Sequence, residues 1–148
     1  MNPFDLKSAL LARHAQHVVL IHFPIALFLA GVAFDFAGQW KRNAIVAAVA
    51  YYNMTLAAVT SLPVVATGLM AWRWQLEGQR LKGVLLQHLV LGVAACALIW
   101  VVWCIHFWAR RHARNLSNYR LPLEAAVAVL VALTAHLGGF LSGVNTPV

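Results

Sequence analysis

GVLLQHLVLGVAACALIWVVWCIHFWA, Gly83 to Ala109, contains no aspartate, glutamate, lysine or arginine. One helical crossing of a bilayer takes roughly 20 predominantly apolar residues, and this run exceeds that. Three further apolar runs flank it, from His17 to Trp40, Ala44 to Trp72 and Leu121 to Gly143, with short polar segments between them. The whole chain of 148 residues is 62% apolar and 10% charged, with a mean hydropathy of +0.75. An ordinary soluble domain is about 45–50% apolar and about 25% charged. Too little polar surface exists to cover a water-soluble fold, and disordered chains are poor in apolar residues. The chain is therefore an integral membrane protein.

Four spans near 17–40, 44–72, 83–109 and 121–143, joined by short loops, predict an all-α, up-down-up-down four-helix bundle. It forms a single transmembrane domain over residues 1–148, with both termini on one side. The first run is too long for the 7–15-residue apolar core of a signal peptide, so it is expected to be retained. Trp40, Trp72, Trp74, Trp108 and Tyr119 sit where interfacial aromatic belts form. The formal charge of +7 does not indicate nucleic acid, because the cations cluster between apolar runs rather than forming a basic stripe with interleaved aromatics.

Lys7, Arg13, Arg73, Arg80 and Lys82 fall on the termini side. Lys41, Arg42, Arg110, Arg111, Arg114 and Arg120 fall on the far side. The positive-inside rule then leans towards a cytoplasmic far side and periplasmic termini, in a bacterial inner membrane. Cys96 and Cys104 share one helix about 12 Å apart along its axis, beyond disulfide reach. No CxxCH sequence is present, so this chain attaches no c-type haem.

Seven histidines are many for so apolar a chain. His14 and His112 read as solvated or interfacial. His22, His88 and His136 lie on three different spans, each a turn or two from the termini side, in one layer roughly 8–10 Å deep by helical rise. His17 lies just above them. Imidazole in hydrocarbon costs free energy unless it is bonded or coordinated. Either the rings link helices as polar contacts, or they hold a metal or haem.

Ala132 and Gly139 flank His136, while Gly92, Ala95 and Cys96 share the face of His88. Such small residues leave room for a flat porphyrin or for a close helix. Pro24 and Pro63 fall inside spans and are expected to kink them, with Pro24 placed to aim His22. On the far side, Asp35 is expected to pair with Lys41 or Arg42, the alternative being a proton or quinol contact with His106. Met54 and Met70 read as packing residues.

HVVLIHFPIAL, His17 to Leu27, resembles the opening of an uncharacterised bacterial family of four-helix membrane proteins. In that family a histidine precedes an HFPIAL-like motif and an acidic residue follows, here in Phe34-Asp35. Thr134-Ala135-His136-Leu137-Gly138-Gly139 resembles its fourth-helix HxGG motif, and Pro63 to Leu69 and His88 sit where its pattern places them. The resemblance covers most of the chain. Some members are joined to Rieske or c-type cytochrome domains, which implies a place near extracytoplasmic electron transfer. The family's basic or tyrosine-containing tail is replaced here by Ser142-Gly143-Val144, so a tail contact to a partner is not carried over.

The expected function is a b-type haem-binding membrane subunit that transfers single electrons near the periplasmic face, rather than an independent enzyme. Two or more of His22, His88 and His136 would ligate one haem b, and a second haem would add His17. The expected partner is a c-type cytochrome or Rieske-like protein of a larger redox complex, with quinone chemistry left open. The alternatives are a cofactor-free accessory subunit and a transition-metal site built from imidazoles.

Overall fold

A computed structural model describes residues 13–74, 76–78 and 80–143, with side chains from Gln16 onward. Lys7 and Val144, and the side chains of Arg13 and His14, lie outside the described residues. The chain forms α1 (Arg13–Leu20), α2 (His22–Lys41), α3 (Ala44–Trp74), α4 (Gly83–Arg111) and α5 (Arg120–Leu141). Four helical stretches are long and apolar enough to cross a bilayer: Gln16–Lys41, Ala44–Trp74, Gly83–Arg111 and Arg120–Leu141. This is the all-α membrane four-helix bundle that the hydropathy pattern predicts.

The first span is two helices because of Pro24. Its ring nitrogen has no hydrogen to offer the Leu20 carbonyl, and the break falls at Ile21, whose φ of −59° and ψ of −28° let α2 resume almost in line. Pro63 sits inside α3 without ending it. The α2–α3 connection is only Arg42 and Asn43. Arg42 is left-handed (φ 48°, ψ 42°) at the end of α2, and the Asn43 side chain accepts the backbone N–H groups of Ile45 and Val46, capping α3.

Each helix packs on its neighbours in a ring: α2 on α3, α3 on α4, α4 on α5, and α5 back on α2. The α2–α3 seam is closest. A Cβ on Gly38 would stand 3.0 Å from the Ala47 backbone nitrogen, and one on Gly31 would stand 2.9 Å from Met54 Cγ. Small residues at a membrane helix crossing let dispersion contacts replace the hydrophobic drive that lipid does not supply. The central core is built from Phe28, Met54, Ile99, Val102, Val127 and Val131. Most other large apolar side chains face outward, as lipid contact requires. Trp40, Trp74, Trp108 and Tyr119 are exposed near helix ends, where amphipathic rings meet headgroups.

Candidate functional site

Two layers of polar side chains interrupt this apolar bundle, one near each end. On the termini side, His88 projects from α4 towards α5, and its Nδ1 lies 3.1 Å from the Thr134 carbonyl oxygen. A carbonyl only accepts, so Nδ1 carries the proton and the lone pair is on Nε2. Gly138 makes this seat, since a Cβ there would stand 3.1 Å from His88 Cε1.

His17 repeats the arrangement between α1 and α3. Its Nδ1 is 3.2 Å from Thr67 Oγ1, and a Cβ on Gly68 would stand 2.9 Å from its Cε1. The Thr67 hydroxyl donates to the Pro63 carbonyl at 2.8 Å, so Oγ1 accepts from His17 Nδ1–H. This imidazole too has its lone pair on Nε2.

His22 and His136 are exposed on the bundle surface, and the His136 ring meets Phe140 edge-on at 5.0 Å between centroids. The structure thus ties His88 to the Thr134–Gly138 stretch of α5 and His17 to Thr67 and Gly68 of α3. It does not gather His22, His88 and His136 into one three-ligand group. Neighbouring helices also border the small residues on the His88 face. Gly92 faces the Thr134 methyl, 3.7 Å from where its Cβ would be, and Cys96 Sγ lies 3.2 Å from Ser61 Oγ.

The far-side layer is different in kind. Arg120, the first residue of α5, turns inward and is 5% exposed. Its Nε donates to Asp35 Oδ2 of α2 at 2.8 Å, so Arg120, not Lys41 or Arg42, is the partner of Asp35. Lys41 and Arg42 are exposed. Arg120 Nη1 donates to the carbonyls of Ser117 and Leu116, and Nη2 donates to Gln39 Oε1. The Gln39 amide in turn donates to Asn118 Oδ1 at 2.9 Å, over the end of the bundle.

Beneath this pair lies Glu124, fully buried one turn into α5, with Oε1 2.8 Å from His106 Nε2 of α4 and 3.7 Å from Arg120 Nε. Among the described residues, Asp35, His106 and Glu124 are the group of three whose candidate ligand atoms lie within 4.8 Å of one another. The guanidinium already stands among them. A divalent cation would have to share the site with that fixed positive charge, so the arrangement suits protons better than metal.

Asp35 and His106 stand out in the sequence as polar residues within spans, whereas Glu124 does not and Arg120 reads there as a loop cation. The signal in the sequence is an acid inside a span, one helical turn after an arginine, since an unpaired acid in the membrane is costly. The family of predicted membrane proteins designated DUF2231 matches residues 13–145. No curated protein and no solved structure matches the chain.

Proposed function

The chain belongs to the DUF2231 family of predicted membrane proteins, and from that premise we propose that it is a membrane subunit holding haem b for single-electron transfer. The observation that carries this reading is His88. Its Nδ1–H is committed to the Thr134 carbonyl, which fixes the ring and would leave Nε2 as the atom to hold the iron. Gly138 and the carbonyl belong to the same turn of α5, so one helix both seats and orients the imidazole. His17 has the same tautomer and a glycine seat of its own. His22 and His136 share this end of the bundle and complete the set from which a second ligand would come.

Haem iron bound by two imidazoles supplies a one-electron couple without substrate chemistry. The chain contributes ring orientation and an apolar surround that disfavours added charge. We place this end towards the periplasm of a bacterial inner membrane, with a c-type cytochrome or Rieske-like protein as partner. The exposed Arg110-Arg111-His112-Ala113-Arg114 stretch would then be cytoplasmic.

The second reading is a cofactor-free accessory subunit, favoured by the same bonds read as interhelical links. The absorption spectrum of protein purified from haem-sufficient cells separates the two. The expected result is a Soret band and a reducible b-type spectrum, lost in His88→Ala with the helical content kept. A colourless, folded wild-type protein from such cells supports the accessory reading instead.

A further inference from the structure

The far-side cluster has a charge count that a purely structural ion pair does not need. Arg120 supplies one positive charge, and Asp35 at 2.8 Å cancels it. Glu124 is a second carboxylate, 0% exposed, and its Oε2 has no hydrogen-bond partner among the described residues. As a carboxylate it would be a surplus negative charge inside the bundle, with one oxygen unsatisfied. Burial of an uncompensated charge is strongly unfavourable, and an unpaired carboxylate oxygen adds to that penalty.

A single further proton removes the surplus, whether it resides on Glu124 or on His106, whose Nε2 is 2.8 Å from Glu124 Oε1. Among the described residues, the titratable groups facing this point are Asp35 from α2, His106 from α4, and Arg120 and Glu124 from α5. From Ala44 to Trp72, α3 carries no acidic residue, lysine, arginine or histidine. Its Tyr51 and Tyr52 lie under the Arg110 guanidinium, at 4.4 and 5.9 Å from the ring centroids.

We infer that His106 and Glu124 form a proton-binding site inside the membrane, holding one exchangeable proton beside the fixed Asp35–Arg120 pair. The ligand is a proton exchanged with water at the loop end of the bundle. There the exposed Gln39–Asn118 contact covers Arg120. The step is a simple association, His–carboxylate plus H⁺ giving the protonated pair, with no redox partner required. It is independent of whether the opposite end carries haem.

The charge count makes a specific prediction about variants. Glu124→Gln leaves Asp35 and Arg120 balanced, so the site no longer takes up its proton. Asp35→Asn also abolishes the uptake, although Asp35 does not touch His106, because Arg120 is then free to balance Glu124. A local His–Glu pair insensitive to the cluster charge would lose its proton only in Glu124→Gln.

The chain has only four acidic side chains, Asp5, Asp35, Glu77 and Glu124, which makes an infrared carboxyl signal assignable. The experiment is an infrared difference spectrum of the full chain in lipid nanodiscs between neutral and alkaline pH. Ring-labelled histidine reports imidazolium, and circular dichroism verifies that each variant is folded. The expected result is release of one proton per chain from the combined carboxyl and imidazolium signals. It should be unchanged in Glu77→Gln and absent in Glu124→Gln and Asp35→Asn. A pair already deprotonated at neutral pH, or one that keeps its proton throughout, overturns the proposal. Release that persists in folded Glu124→Gln overturns it too.

Discussion

The two ends of the bundle solve the same problem, polar side chains in an apolar medium, by opposite means. At the termini end, His17 and His88 are held by neutral acceptors, a threonine hydroxyl and a helix carbonyl, and lean on glycines of the facing helix. At the far end, Asp35, Arg120, Glu124 and His106 bring charge inside and link three helices through it. The imidazoles at the termini end bond to neutral groups, whereas the far-end side chains bond to one another as charged and titratable partners. On the two proposals above, the termini end would hold the cofactor and the far end the proton.

The largest test of this contrast is Arg120→Gln. It leaves Asp35 and Glu124 without their cation, and removing one member of a buried pair costs about 3–5 kcal/mol. Thermal unfolding in detergent is expected to show a deep loss of stability or of recoverable protein. Near-wild-type stability would mean that water reaches the cluster and that the two ends do not differ as described.

The matching test at the other end is Gly138→Val. The added side chain starts 3.1 Å from His88 Cε1, so the ring has to leave its seat. Overpacking of this kind costs about 1–3 kcal/mol, less than loss of the buried cation. Haem content per chain should fall as well if the proposed ligation holds. An unfolding curve and a haem assay on one preparation measure both. Thr67→Val follows with about 0.5–1.5 kcal/mol, the net worth of one hydrogen bond. It removes the acceptor of His17 Nδ1 without touching the charged end, and the same unfolding assay reads it.

The fold was legible because four apolar runs leave almost no alternative way to satisfy the backbone within lipid. Pro24 and Pro63 were both legible as expected kinks, but only Pro24 divides its span into two helices, while Pro63 lies within one. Helical rise gives only each histidine's position along its own span, not its facing. That position follows from counting residues, while facing depends on how each helix is rotated against its neighbours. That rotation turned His88 onto Gly138 and left His22 and His136 exposed. The far-side cluster was half legible. Asp35 and His106 stood out as polar residues within spans, yet proximity in sequence pointed Asp35 to Lys41 and Arg42. The partner came instead from 85 residues away, because α5 returns beside α2 and starts at that depth.

The smallest predicted effect separates those two readings of Asp35. Lys41 lies at the last position of α2 and Arg42 just beyond it, both exposed, whereas Asp35 faces inward and is 2% exposed. Lys41→Ala should therefore change stability by no more than about 0.5 kcal/mol, as surface substitutions away from special contacts do. Arg42→Gly should be neutral or mildly stabilising by up to about 1 kcal/mol. It relieves a left-handed backbone that glycine adopts without a Cβ penalty, and it removes no partner of Asp35. Unfolding of both variants beside Arg120→Gln is the measurement. If Lys41→Ala proved as damaging as Arg120→Gln, Asp35 would be held from the loop edge rather than from inside the bundle. Arg120 would then be left to Glu124 alone, the surplus charge would disappear, and the distinction between a proton-holding end and a ligand-holding end would go with it.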